Sequence, residues 1–454
     1  MRIIYFLVLI LIIANPTYAF SDINTTEYPK SENVLPNLQT DVSVIKGTIS
    51  KDFEMTLPNC IMLALGNNPQ IHAAFQDILA SDSRIKQVWS NYFPIVSWQS
   101  GYTRLKQLQL SDAFDENVEF NYFLLGQVSL QQMLYDFGVT QNQISIRKLD
   151  YEGYKKTFEA TVNNVVYKTK NAYYTVLLNL ANIIIAEDNV KKYELFYNQA
   201  KALYKVGQNP KVDVTIAETN LSNAKLNLIQ AKKSLELSIA NLNNVMGIAN
   251  LEKYKINDKL KYNNFDLSFE DLIEITRESR PELRLAEIRV EGLNQTVKLT
   301  KKSFLPTISV EAQYQRGGKT FTSNYGYNIG GYLTFPNLNF MLIRNEIKEA
   351  QYLYDKELAN AKDVQNNIYY EVQSAYYDLI EAKNKIPVAI ISMKQAEENY
   401  ELSFGRYKVG EATPTELKDA QNNYNNAQLY YYNTLFEYND SKARLEKAIG
   451  KNII

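Results

Sequence analysis

The chain has 454 residues, with 49 Lys and Arg against 50 Asp and Glu, for a net charge of −1. That balance excludes a general attraction to nucleic acid or to anionic surfaces. A single cysteine, Cys60, and a single histidine, His72, exclude a disulfide framework and almost every His- or thiolate-based catalytic or zinc centre.

The chain opens on a secretory signal. Arg2 supplies the positive start, Ile3 to Ala14 the apolar run, and Thr17-Tyr18-Ala19 the small residues of a cleavage site, so residues 1–19 read as a leader and the mature chain as beginning at Phe20. No later apolar stretch reaches roughly 18 residues, so a membrane helix is not expected in the mature chain. Residues 20–52 carry Pro29 and Pro36 with no period and read as an extended lead-in.

A first repeat is expected over residues 53–250. A helix is predicted from Leu57 to Phe93, with Ile61, Leu65, Ile71, Phe75 and Leu79 as core candidates, stopped at Pro94. Two strands follow, over about 95–131. In the first, Val96, Trp98 and Tyr102 alternate with Ser97 and Gln99. In the return strand, Val118, Phe120, Tyr122, Leu124, Val128 and Leu130 alternate with Glu119, Asn121, Gln127 and Ser129. A long helix is predicted over 139–205 and a shorter one over 210–247.

After a linker, 251–266, the same order recurs over 267–450. A helix spans 269–305, strands 306–316 and 325–335, a long helix 341–408 and a shorter helix 414–450, before a short tail over 451–454. Pro69 and Pro281, Pro94 and Pro306, and Tyr102 and Tyr314 share one offset (314 minus 102 is 212). Tyr204 and Tyr407 share another with Gly247 and Gly450 (407 minus 204 is 203). Two ungapped registers with matching punctuation point to an internal duplication. Few glycines, 17 in all, suit long uninterrupted helices.

Ten-residue strands with one apolar and one polar face suit a tilted crossing of a bilayer. A soluble sheet covered by helices would share the pattern. Four strands cannot close a barrel, and lipid does not tolerate open edges, so spanning strands would have to be pooled: eight from two chains or twelve from three. The long helices, at about 100 Å each, match two shorter ones stacked end to end. Leu221, Ala224, Leu228, Ala231, Leu235, Ser238, Leu242 and Val245 form a heptad seam, echoed by Tyr424, Ala427, Tyr431, Thr434, Tyr438, Ser441, Leu445 and Ala448. Pro387 is expected to kink the second long helix.

Between each long helix and its shorter partner lies a helix-breaking tip. The first is Tyr204-Lys205-Val206-Gly207, followed by Asp213; the second is Tyr407-Lys408-Val409-Gly410, followed by Glu416 and Asp419. Glycine is the default residue ending a helix in the left-handed region. Glu416 and Asp419, at i and i+3, share a helix face, and taken alone read as solvated acids favourable to the helix dipole.

Signal, doubled unit, strand pair between a short and a long helix, and Tyr-x-x-Gly tips together resemble the TolC-type outer membrane efflux protein family, over about Asp52 to Gly450. The resemblance implies a mainly α fold with a membrane β-barrel portion: a homotrimer whose four strands per chain make a twelve-stranded outer-membrane barrel, continued by an α-barrel of long hairpins in the periplasm. It implies an exit duct for small-molecule efflux or type I secretion, with no catalytic centre, metal or cofactor. The implied partners are a periplasmic membrane-fusion adaptor and an inner-membrane RND or ABC pump, with no nucleic acid. It implies an entrance gate of Asp213, Glu416 and Asp419, with Tyr407 reaching Asp213 on the neighbouring hairpin. It implies adaptor contact at Lys205, Val206, Gly207, Lys408, Val409 and Gly410. The family's basic gate residue has no match, since Ala412 stands there. The alternative is an exported helical scaffold without a membrane barrel.

Other signals carry less. Gly317-Gly318-Lys319-Thr320 lacks the earlier glycine of a phosphate loop, position 313 being Gln313. Cys60 reads as buried packing, His72 as a helix residue without metal partners, and Tyr430-Tyr431-Tyr432 as three residues facing three directions.

Overall fold

The structure is a computed structural model describing residues 54–106, 119–208, 210–248, 254–318, 324–336 and 338–451. The expected leader and lead-in lie outside these residues, as do Lys319 and Thr320. In chain order the elements are α1 (Leu57–Asn67), α2 (Pro69–Trp89), β1 (Ile95–Lys106), β2 (Glu119–Tyr135), α3 (Val139–Lys205), α4 (Lys211–Val245), α5 (Phe269–Ser279), α6 (Pro281–Lys302), β3 (Thr307–Gly318), β4 (Asn324–Thr334), α7 (Phe340–Lys408) and α8 (Pro414–Ile449). No described helix is long and apolar enough to cross a membrane. The chain divides into two compact units.

The first unit, residues 77–155 and 285–362 among those described, holds the sheet. Its four strands form an antiparallel meander in the order β1-β2-β3-β4. Registers set the two faces, because residues directly opposite in an antiparallel pair point the same way. One face carries the rows Trp98–Val128–Tyr314–Tyr327 and Val96–Leu130–Ala312–Ile329. The other carries Ser97–Ser129–Gln313–Asn328, Gln99–Gln127–Gln315–Gly326 and Ile95–Gln131–Glu311–Gly330. The side chains of Ser97 and Ser129 meet at 2.6 Å on that polar face.

The alternation read along the return strand fails at a bulge. Leu124 pairs with Gly317 and Gly126 with Arg316, which leaves Leu125 as an extra residue in β2. Beyond it the faces exchange. Tyr102 and Phe123 lie opposite one another with ring centroids 5.0 Å apart, and the Tyr102 hydroxyl donates to Asn121 Oδ1 at 2.7 Å. Phe123 and Asn121 therefore belong to the apolar face. Tyr122 and Leu124, expected there, lie on the polar one: a Cβ at Gly317, which follows Gln315 in that alternation, would stand 3.0 Å from the Tyr122 hydroxyl. A second extra residue, Leu134, precedes the exit into α3. The turn there is fixed by buried Asp136, whose carboxylate accepts from the amides of Gly138 at 3.0 Å and Thr140 at 2.6 Å. α6 is tied to α3 through Lys302, which donates to Asn142 Oδ1 at 2.7 Å.

The second unit is helical. Its core gathers Leu63, Tyr173, Val176, Leu242, Leu272, Val372, Leu379, Tyr438 and Leu445. Burying each such side chain contributes about 1.5–3 kcal/mol. None of the sixteen seam residues of α4 and α8 is exposed, so the heptad spacing does mark the packed face. Tyr431 and Tyr432 are half-buried against the core while Tyr430 stays exposed, as three consecutive helix positions must. Lys170 of α3 and Glu446 of α8 form a buried ion pair at 2.5 Å. Removing one partner of such a pair costs about 3–5 kcal/mol, because the other charge is left unpaired away from water.

Two helices expected to be continuous are each broken. α1 ends at Asn68 and α5 at Arg280, both in extended conformation, and α2 and α6 start on Pro69 and Pro281. Proline excludes the helical region for the residue before it while suiting the first helical position itself. Each break receives the end of another helix. A Cβ at Gly247 would stand 2.4 Å from the Asn67 carbonyl oxygen, and one at Gly450 2.8 Å from that of Ser279. The Asn68 side chain donates to the Val245 carbonyl at 2.8 Å, and Arg280 Nη1 does the same for Lys447 at 2.5 Å. Arg280 Nη2 also pairs with Glu371 of α7 at 2.8 Å. α7 runs unbroken through Pro387.

Candidate functional site: the two hairpin tips

Both tips lie in the second unit and end their long helices in the same way. After α3, the Gly207 amide donates to Tyr204 and the Gln208 amide to Leu203, each at 3.0 Å. After α7, the Gly410 amide donates to Tyr407 at 3.1 Å and the Glu411 amide to Arg406 at 2.9 Å. These are the paired bonds of a Schellman turn, which needs a left-handed residue; Gly207 and Gly410 have φ of 77° and 79°. Lys205, Val206, Lys408 and Val409 are exposed, with Val206 at 69% and Val409 at 71%. A methyl added to either glycine would meet nothing within 4 Å. The tips present backbone, two lysines and two valines to the surroundings.

The two tip tyrosines differ. Tyr204 is 44% exposed, whereas Tyr407 is 2% exposed and packs on Phe196 at 5.1 Å between ring centroids. Tyr193, Ala200, Ala217, Leu221, Ala224 and Leu417 complete this small apolar cluster. Burial pushes the Tyr407 phenol above its ordinary pKa, and the charge of Asp213 raises it further. Asp213 and Tyr407 are thus brought together within one chain, yet the Tyr407 hydroxyl makes no hydrogen bond.

The acids are placed by helix starts. Asp213 lies in the first turn of α4 and is half-buried. Glu416 is the third residue of α8 and closes a capping box: its carboxylate accepts from the Thr413 amide at 3.2 Å, and the Thr413 hydroxyl accepts from the Glu416 amide at 3.2 Å. Asp419 is exposed one turn on, and its charge reaches Tyr193, whose hydroxyl donates to Asn422 Oδ1 at 3.0 Å. The helix-start role expected for Glu416 on local grounds is therefore present in the geometry.

A feature missed in the sequence stands beside the cluster. Lys192 of α3 lies over the rings of Tyr400 of α7 and Tyr424 of α8, 4.9 and 4.4 Å from their centroids, and pairs with Asp188 at 2.7 Å. The two rings stack at 5.9 Å, and Tyr424 donates to Glu397 at 2.9 Å. Desolvation pushes the Tyr400 phenol up to about 12. One cation thereby joins three helices. Tyr193, Lys192 and Asp188 sit at spacings along α3 that only the fold brings beside α7 and α8.

His72 Nε2 lies 3.1 Å from the Gly66 carbonyl, and Cys60 is buried with its thiol pushed up to about 12 by desolvation. Among the described residues no group of three His, Cys, Asp or Glu is arranged to hold a metal.

A family model described as outer membrane efflux protein matches residues 60–248 and 272–451. The chain belongs to this family. The probable efflux pump outer membrane protein TtgC of Pseudomonas putida is 21% identical over 448 residues, 93% of this chain and 89% of the relative. The outer membrane protein TolC of Vibrio cholerae is 24% identical over 307 residues, 64% of this chain and 69% of the relative. The fold is that of the Campylobacter jejuni CmeC outer membrane channel, with a TM-score of 0.76 at 19% identity, covering 87% of this chain and 85% of that one. The chain is an outer membrane efflux channel of the TolC type, with a periplasmic extension. Its named relatives are channel proteins rather than enzymes.

Proposed function

We propose that three copies of this chain form the exit duct of a tripartite export machine. The observation that carries this reading is the sheet. It has a wholly apolar pair of rows on one face, a mainly polar set on the other, and two edges, on β1 and β4, that no described strand covers. Unpaired strand edges are not tolerated in lipid, so β1 of one copy pairs with β4 of the next. Three copies give twelve strands with the Trp98 and Val96 rows towards lipid and the Ser97 and Gln99 rows towards water. The duplication over residues 53–250 and 267–450 then supplies two hairpins per copy to the periplasmic part.

The tips are the entrance. Glu416 and Asp419 repeat around the trimer as acidic rings that favour cations and oppose anions. Tyr407 and Asp213 form the packed seat behind them. Lys205-Val206-Gly207 and Lys408-Val409-Gly410 are the surface that meets a periplasmic adaptor, through which an inner-membrane RND or ABC pump supplies energy. Small-molecule efflux and type I secretion both fit such a duct, and the relatives' names favour efflux. Cysteine pairs scanned along β1 (residues 96–104) and β4 (residues 325–333), one from each strand, test the closure. Oxidation in membranes should give a ladder ending at three chains. A ladder ending at two chains, or cross-linking only within one chain, would overturn it.

A further inference from the structure

The apolar face of the sheet ends on cations. Val96, Trp98 and Tyr102 on β1 lead to Arg104, and Ile308, Val310, Ala312 and Tyr314 on β3 lead to Arg316. The registers fix both arginines to this face. Arg104 lies opposite Asn121, which the Tyr102 hydroxyl reaches across the same face. Arg316 lies opposite Gly126 and Tyr325, and a Cβ at Gly126 would stand 3.3 Å from the Trp98 indole nitrogen. Both arginines are exposed. Across the apolar rows between Leu333 and Tyr325 no charged residue occurs, and eight residues (333 minus 325) correspond to about 26 Å of strand. At a strand tilt of about 40° that length spans about 20 Å, most of a hydrocarbon band about 25 Å tall. Both arginines lie towards the ends of the strands away from the connections to α2, α3, α6 and α7, with Arg104 two strands across from Arg316 and about four residues further along. The one acid of β3, Glu311, is on the other face.

We propose that Arg104 beside Tyr102, and Arg316 opposite Tyr325, each hold one phosphate group of a bisphosphorylated glycolipid in the outer leaflet. The tyrosine rings sit at the level where an amphipathic ring prefers the interface. Guanidinium groups hold phosphate through paired, charge-assisted bonds, and each has five donors, so phosphate contact is compatible with other contacts. The site rests on the reading that this face meets lipid.

The test uses the full-length trimer in detergent, titrated with a bisphosphorylated diglucosamine glycolipid and, separately, with the same lipid after phosphate removal. Binding is read by native mass spectrometry and thermal shift. The phosphorylated lipid should bind at least about tenfold more tightly, the worth of one charge-assisted contact. R104Q with R316Q should abolish that preference, and R104K with R316K should retain part of it. Equal binding of the two lipids by the native protein, or an undiminished preference in the glutamine pair, would overturn the proposal. Failure of the native trimer to conduct in a planar bilayer would instead overturn the channel reading beneath it.

Discussion

At the level of single residues, Tyr407 separates packing from hydrogen bonding. Its ring is buried against Phe196 while its hydroxyl has no partner. An unpaired buried hydroxyl is a cost, so Tyr407→Phe should leave thermal stability unchanged or raise it, by about 0–1 kcal/mol. Tyr407→Ala should lose about 3–5 kcal/mol by opening a cavity. Thermal melts of the purified trimer decide between these. The phenols of Tyr193, Tyr400 and Tyr407 are all raised, chiefly by burial. A raised phenol pKa means that the unfolded chain ionises first. The stability these groups contribute is present below about pH 10 and is lost as pH rises through their higher folded values. Melting temperature should therefore fall between about pH 10 and 12 more steeply than in a variant with phenylalanine at these three positions. The acids proposed for the entrance have a different logic. Glutamine can still close a capping box, so Glu416→Gln with Asp419→Asn keeps the start of α8 and removes two charges per chain. Block of the pore by multivalent cations should weaken in planar-bilayer conductance. The acids could be found in the sequence by their spacing after each glycine. The burial difference between Tyr204 and Tyr407 could not, because the two tetrads are the same in sequence and differ only in what packs on them.

Among the elements, the long helices and the seams of α4 and α8 were legible to within a few residues, since thirty or more residues of one periodicity overdetermine a helix. The breaks at Asn68 and Arg280 were less so. Pro69 and Pro281 had been matched to each other, but a proline at a first helical position and a proline that kinks a helix look alike until the preceding residue's conformation is known. What gives the breaks their use is Gly247 and Gly450, nearly two hundred residues away, and no local pattern links them. Gly247→Ala should cost about 2–4 kcal/mol, because a side chain there is both left-handed and in collision with backbone. A thermal melt of the whole protein would report it. In the sheet, period-two alternation placed β3 and β4 correctly and failed in β2. One extra residue, Leu125, exchanges the two faces for everything beyond it, and a bulge leaves no mark in hydrophobicity when the extra residue and the one before it are both leucine.

For the whole molecule, the tips combine an exposed glycine with free space around it. Gly410→Arg should strain the turn by about 1 kcal/mol while leaving the buried seat of Tyr407 intact. Assembly should proceed in normal yield, and export in cells should fall if the tips are the docking surface proposed above. Normal export by that variant would remove the tips from the adaptor contact. The open edges of β1 and β4 have a further consequence for how the protein is made. If the sheet closes with neighbouring copies as proposed, one copy cannot finish the ribbon alone, so maturation is a meeting between molecules and its rate depends on their concentration. At low synthesis the unmatched ribbons persist and are exposed to periplasmic chaperones and proteases. Abundance of the finished duct should then rise more steeply than in proportion to expression.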